Sequence, residues 1–475
     1  MRPIMNIKIG FLCGTMAMLM TSCAPSSHHP QTSDLGFEDS FVSDVIGVSE
    51  KHLSADYWID KLTIRNVIMS AQDIQTFNET NTAQDPSLYD IESQPSTLSK
   101  DELISRIRSI SNVPKFPRIF TDGTPVTDID FARYEDALNL DAIHPTNPVK
   151  FALTVRRTSI RTYPTSDLLF SENADDRDIE RFQESVLFPG DALAVLHESN
   201  DGKWVLVQSY NYIAWAPVED IAMGSREQVF KYANSDTFLI ITGDKVSTVY
   251  NPEVAKVSEL QLDMGTKIPL SRPESLQHNL YGQNPYLSHM VLLPIRNDDG
   301  SLDFKHALIA RKDDVHVGYL PFTQENILKQ SFKFLGERYG WGHRFNGRDC
   351  TGFVSEVYKS FGIKLPRNSG DQGRSEIGIN ARYDKDALRQ DKIDRLKQGQ
   401  PGDLIYIPGH VMMLLGHSDG KPYVIHDVHG MGYLQADGTL YKGILNGVSV
   451  TPLLPLQSNP EHSYLDRAST IKTIK

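Results

Sequence analysis

The stretch Arg348-Asp349-Cys350-Thr351-Gly352-Phe353-Val354 decides the reading of this chain. Phe353, Val354, Val357, Tyr358 and Phe361 recur at helical spacing, and Gly362 closes the run. A polar, glycine-rich loop precedes it, Tyr339-Gly340-Trp341-Gly342 through Gly347. The spacing therefore predicts a helix opening on Cys350, where unpaired N–H groups and the macrodipole favour the thiolate. A core cysteine sharing the stripe of Val354, Val357 and Phe361 is the competing reading, and periodicity leaves it open. The loose loop favours a cleft. Upstream, Gln324 to Leu335 reads as another helix, with Ile327, Leu328, Phe332 and Leu335 on one face.

The chain has three cysteines. Cys13 lies in a leader, Met1 to Ser22, that reads as a secretory signal: Arg2 and Lys8, an apolar run Ile9 to Met20, then Thr21-Ser22. That run is short for a membrane helix, which needs about 20 apolar residues. Leu19-Met20-Thr21-Ser22-Cys23 resembles a bacterial lipobox, with Met20 uncommon at its position, and the resemblance implies lipidation of Cys23. The alternative is ordinary cleavage that leaves a soluble periplasmic protein. Ala24 resembles the residue found in lipoproteins sorted to an outer membrane. The expected location is therefore the periplasmic side of a bacterial membrane, the outer one, by a lipid anchor. Cys350 then has no disulfide partner in a compartment where disulfides are normal, which points to a nucleophile.

At 475 residues and 40% hydrophobic content the chain suits three or four domains, and its net charge of −12 argues against nucleic acid. Charge alone would not hold such a protein to an anionic wall either. Residues 23–50, rich in Ser, His, Pro and Asp, read as a tether. Residues 51–150 read as mostly helical stabilising material, with a capping box at Ser99-Lys100-Asp101-Glu102. Residues 151–224 change to short strands: Leu193 to Leu196, a turn at Asn200-Asp201-Gly202, Trp204 to Val207, then Ile213 to Ala216 stopped by Pro217. This order resembles bacterial SH3-like barrels. Residues 225–322 are a weaker match to the same kind of module, and residues 457–475 read as a C-terminal tail.

A thiol nucleophile needs a base. Gly402 to Ile407 and His410 to Leu415 read as strands joined at Pro408-Gly409, and Tyr423 to Val428 as a third strand after Ser418-Asp419-Gly420. His410 stands at a strand mouth, where an imidazole can face a cleft, and a second histidine could orient it. Register is open at this point. A two-residue turn at Asp419-Gly420 sets His429 opposite His410, and a bulge or longer turn is needed to bring His426 across. The histidines lack a coherent set of further ligands, so no metal or other cofactor is expected.

These residues resemble the NlpC family of bacterial cell-wall cysteine peptidases. The match runs through Trp341-Gly342, Arg348 to Val354, Leu365-Pro366-Arg367-Asn368-Ser369, Gln372, Pro401 to Leu404, Gly409-His410-Val411 and His426. It implies an α+β architecture: a papain-like catalytic domain over residues 323–456, preceded by two small SH3-like β-barrels and the helical segment. It also implies Cys350 as nucleophile, His410 as base and His426 as the residue orienting it. The implied reaction is hydrolysis of the γ-D-glutamyl bond to a diamino acid, usually meso-diaminopimelate, in peptidoglycan stem peptides. In similar multidomain enzymes the first barrel closes one end of the cleft, and a free N-terminal L-alanine is required. By position its amine would meet Asp349, Thr351 and a barrel tyrosine, Tyr212 with Tyr210 in reserve. Family members usually carry serine where Thr351 stands. Locally Asp349 reads equally as a helix N-cap. Two rivals remain: an amidase or acyltransferase on the same fold, and a non-catalytic wall-binding lipoprotein, which Cys350→Ala would leave unaffected.

Overall fold

Side-chain caps set where the N-terminal helices begin. Helices Ala71–Gln84, Lys100–Ile110 and Asp128–Ala137 open on Ser70, Ser99 and Thr127, each of whose hydroxyls accepts a backbone N–H of the first turn. At Ser99 the box is reciprocal, with the Glu102 carboxylate accepting the Ser99 N–H at 2.8 Å. The computed structural model describes residues 41–172, 177–271 and 278–475. The expected signal sequence, Cys23 and most of the expected tether lie outside the described residues. Among the described residues no helix is long and apolar enough to cross a membrane.

The helical segment divides its apolar side chains between two cores. Leu98, Leu103, Ile107, Phe131, Tyr134 and Leu138 pack with Trp215 of the first β unit. Trp58, Ile59, Ile74 and Leu88 join the core under the Cys350 helix.

The first β unit is a seven-stranded antiparallel sheet. Its strands run, in spatial order, Ile221–Gly224, Lys150–Thr154, Ala192–Glu198, Trp204–Gln208, Ile213–Pro217, Thr158–Arg161 and Gln183–Leu187. The last of these lies beside the loop that leads to Cys350. The second unit starts with helix Arg226–Ala233, and its strands form three small sheets around Leu239, Ile241, Leu262, Ile268, Val291 and Ile309.

The C-terminal domain sets helices Gln324–Phe332 and Cys350–Lys359 against a six-stranded sheet. We number its strands β1 (Ile379–Arg382), β2 (Leu404–Ile407), β3 (His410–Ser418), β4 (Lys421–Leu434), β5 (Leu440–Pro452) and β6 (Thr470–Thr473). Their order is β1-β6-β2-β3-β4-β5. Residues 457–475 are thus not a tail: β6 runs between β1 and β2. Ile471 is fully buried there, and the buried Lys472 ammonium donates to the carbonyls of Ser375 and Ile377 at 2.8 Å each. A lysine with its donors matched in this way tolerates a central strand.

The β3–β4 hairpin settles the register. Ser418 pairs with Lys421 across the two-residue turn Asp419-Gly420, and a bulge falls between Leu414 and Gly416. Beyond the bulge Met413 pairs with Ile425, which sets Met412 opposite His426. The extra residue flips the side-chain parity of one strand against the other. Without it, the same turn would set His426 opposite Met413, on the other face from His410. Gly416 holds the bulge at φ +129°, and Trp58 packs over it at 3.8 Å from an added Cβ. Tyr57 and His52 reach the same hairpin, bonding Ser418 Oγ at 2.7 and 3.1 Å. The N-terminal segment therefore braces the strands that carry both imidazoles.

Candidate active site

Asp349 caps the helix, its Oδ1 accepting the Gly352 N–H at 2.8 Å, and so fixes Cys350 as the first helical residue. The thiol is only 7% exposed and faces the mouth of β3, where the Val411 N–H points at the sulfur. Burial, and then the Asp349 charge, push the thiol up to about 12; the Val411 N–H opposes them. This reverses the expectation of a favoured thiolate. The helix N-terminus does carry a positive end, but a carboxylate already occupies it, and the sulfur is buried.

On β3 and β4 the two imidazoles meet. His410 Nε2 lies 2.8 Å from His426 Nδ1, and His426 Nε2 lies 3.0 Å from Thr451 Oγ1 on β5. If each Nε2 carries its proton, the chain runs His410 to His426 to Thr451, leaving His410 Nδ1 as a free acceptor. Burial pushes His410 down to about 4, and burial with the neighbouring His410 pushes His426 well below its ordinary value. The thiol and both imidazoles are therefore neutral, and among the described residues the hydrogen-bond partner of His410 is His426 rather than the thiol.

The amine-site candidates form one buried cluster around Arg367. The guanidinium donates to Asp349 Oδ2 at 2.7 Å, to Thr351 Oγ1 at 2.6 Å and to Ser185 Oγ of the first β unit at 2.6 Å. Thr351 passes its own proton to Asp349 Oδ1 at 3.0 Å. Burial alone would raise the Asp349 carboxyl, but Arg367 and His343 hold it well below the usual range. Tyr212 donates to the buried carboxylate of Glu184, which also accepts from Thr162 Oγ1. Tyr210 points elsewhere, its ring under the ammonium groups of Lys359 and Lys364 at 5.6 and 5.8 Å. The structure thus brings Tyr212, not Tyr210, to the Asp349 cluster.

Several residues here carried no role in the sequence reading. Glu184 had only its place in the strand beside the cleft as a signal. Arg367 stood inside a quoted motif, and Thr451 lies in a strand that was not read. Asp427 sits on β4 opposite Val411, on the Cys350 side of the sheet. It is fully buried, and neither of its carboxylate oxygens has a partner among the described residues. Burial and then Asp349 push it well above the usual carboxylate range. Arg348 is fully buried and anchors the loop end to Glu356 at 2.6 Å and Glu337 at 2.8 Å. Among the described residues, no group of three or more His, Cys, Asp or Glu could hold a metal ion.

A thiol at a helix N-terminus, set against an antiparallel strand that begins with an imidazole backed by a second polar ring, defines a papain-like thiol–imidazole domain. Residues 336–448 match the NlpC/P60 family, and residues 169–217 match an SH3 domain of the SH3b1 type. The C-terminal domain is therefore an NlpC/P60 domain, and the first β unit carries an SH3 domain. A gamma-D-glutamyl-L-lysine dipeptidyl-peptidase of Bacillus cereus (strain ATCC 10987 / NRS 248) is 26% identical over 251 residues, 50% of this chain and 61% of that protein. One of Bacillus subtilis (strain 168) is 30% identical over 119 residues, 24% of this chain and 40% of that protein. The chain thus spans less than two thirds of the length of these relatives. A solved NlpC/P60 endopeptidase from Photobacterium damselae subsp. piscicida shares the fold, with a TM-score of 0.69 at 16% identity over 88% of this chain and 95% of that one.

Proposed function

We propose that this protein is a cysteine peptidase that hydrolyses the γ-D-glutamyl bond to the diamino acid of peptidoglycan stem peptides. One observation carries the reading: an NlpC/P60 domain with its thiol at the mouth of the strand whose His410 is bonded to His426 at 2.8 Å. Cys350 Sγ attacks the γ-carbonyl carbon as His410 Nδ1 takes the thiol proton. The C–N bond then breaks, and the same proton passes to the leaving amine of the diamino acid. Water attacks the thioester, giving one proton to His410, which returns it to the sulfur as L-Ala-D-Glu leaves. His426 and Thr451 hold the ring in the tautomer this requires.

The Asp349–Tyr212–Glu184 cluster supports a requirement for a free N-terminal L-alanine. An ammonium group entering a dry cleft needs carboxylates beside it. Once bound, it would also oppose the Asp349 charge that helps keep the thiol protonated. The named relatives favour L-lysine as one diamino acid, and meso-diaminopimelate is the other that the resemblance implies. Residues 1–23 support export and a lipid anchor through Cys23 at the periplasmic side of the outer membrane. Mass spectrometry of products from L-Ala-γ-D-Glu-L-Lys and its diaminopimelate counterpart, each with free or acetylated amine, tests the reading. Cleavage of the free peptides at the γ-bond, and little of the acetylated ones, is the expected result. Equal cleavage removes the amine site, and no cleavage removes the substrate assignment.

A further inference from the structure

We infer that Arg157 of the first β unit and Gln261 of the second are positioning residues for Cys350. They act by holding the loop 341–347 in the conformation that places the start of the nucleophile helix. The inference rests on Cys350 being the nucleophile.

That loop is strained. Gly342, His343, Phe345 and Asn346 all have positive φ, at 56°, 66°, 58° and 56°. Three of these four carry side chains, for which the left-handed region is unfavourable. Runs of this kind persist only where surrounding contacts over-determine them. Here the contacts come from both β units. Arg157 Nη2 donates to the carbonyls of His343 and Gly347 at 2.9 and 3.2 Å, spanning the loop. Its Nε donates to Asp263 Oδ2 of the second unit at 2.9 Å, and Asp263 Oδ1 accepts from Arg348 at 3.3 Å. Gln261 and Asn346 exchange two amide hydrogen bonds at 2.8 and 2.9 Å. Gln183 adds a bond to the Gly342 carbonyl at 2.7 Å.

The loop conformation reaches the sulfur through two side chains. His343 is buried and lies under the first turn of the nucleophile helix, so close to Gly352 that an added Cβ would sit 2.5 Å from its ring. Its Nε2 meets Glu356 of the same helix at 3.0 Å. The Gly342 N–H donates to Asp349 Oδ2 at 3.1 Å, the carboxylate that caps that helix. A relaxed loop would withdraw both supports and let Cys350 drift from the strand mouth. Neither Arg157 nor Gln261 touches the reacting atoms in this scheme.

The test compares wild type, Arg157→Met and Gln261→Ala in the full chain. Three quantities are read: Tm, the kcat and KM for L-Ala-γ-D-Glu-L-Lys, and the rate at which iodoacetamide alkylates Cys350 across pH. Gln261 lies at the rim, so its variant keeps the inference testable if Arg157→Met does not fold. The expected result is a fall in kcat of about 10-fold or more for Arg157→Met and about 3-fold for Gln261→Ala, with KM nearly unchanged. A changed alkylation rate and pH profile should accompany it, well below each Tm. Wild-type alkylation in both variants would overturn the inference, even if Tm falls. If the wild type leaves the peptide uncut, the proposed substrate fails, while alkylation still decides the positioning role.

Discussion

Cys350 and His410 are each held uncharged at rest, the thiol on the Val411 face of β3 and the imidazole against Tyr464. Burial and Asp349 push the thiol up to about 12, and burial pushes His410 down to about 4. Alkylation of Cys350 in the unliganded protein should therefore stay slow at pH 8 and keep rising above pH 10. A plateau near pH 8.5 would contradict the buried pair. The imidazoles also link stability to pH. Below its ordinary 6.5 the His410 ring binds a proton in the unfolded chain, yet in the native state only near 4. The His410 contribution to stability is thus complete above pH 6.5 and is lost as pH falls through that window. Asp427 behaves in the opposite way. Its native carboxyl keeps a proton that the unfolded chain releases above about 3.9, so it lowers stability as pH rises. Asp427→Asn should gain Tm over wild type as pH rises above the ordinary carboxylate range, read by thermal melts. A pH-independent difference would show that Asp427 is ionised in the fold.

At the scale of elements, the hairpin β3–β4 explains what was and was not legible beforehand. The helix after Cys350 could be read because five apolar residues repeat on one face and Asp349 is a ready cap. His410 could be read because a histidine interrupts an apolar strand at its mouth. The pairing with His426 came only through the family resemblance, because it depends on one extra residue beside Gly416 that has no local signature. The strand Thr470-Ile471-Lys472-Thr473 was missed for a related reason. It is short and carries a lysine, and only its tertiary partners make that lysine a buried donor. Gly416→Val tests the bulge. A branched side chain at φ +129° should cost about 1–3 kcal/mol in chemical denaturation. Activity should fall further than stability does, because the histidine pair loses its shared face. Equal losses would mean that the bulge serves the fold alone.

For the whole molecule, Ser43–Lys475 forms one compact unit, and both β units reach the loop before Cys350. Both β units therefore help to position the start of the Cys350 helix. The first SH3-like unit and the NlpC-like motifs were legible separately, but nothing in composition or periodicity joins Arg157 to Gly347 or Glu184 to Tyr212. Those links are long-range and polar. The C-terminus makes a direct prediction: a chain ending at Leu456 lacks β6 and should fail to fold, giving no cooperative melt by circular dichroism. A cooperative melt would make residues 457–475 dispensable after all. The central claim is that Cys350 carries the acyl group during turnover. Acid-quenched reactions with L-Ala-γ-D-Glu-L-Lys, followed by intact-protein and peptide mass spectrometry, measure this directly. The account predicts an L-Ala-D-Glu thioester on the Cys350 peptide and its loss, with all cleavage, in Cys350→Ala. Cleavage that persists in that variant would contradict it.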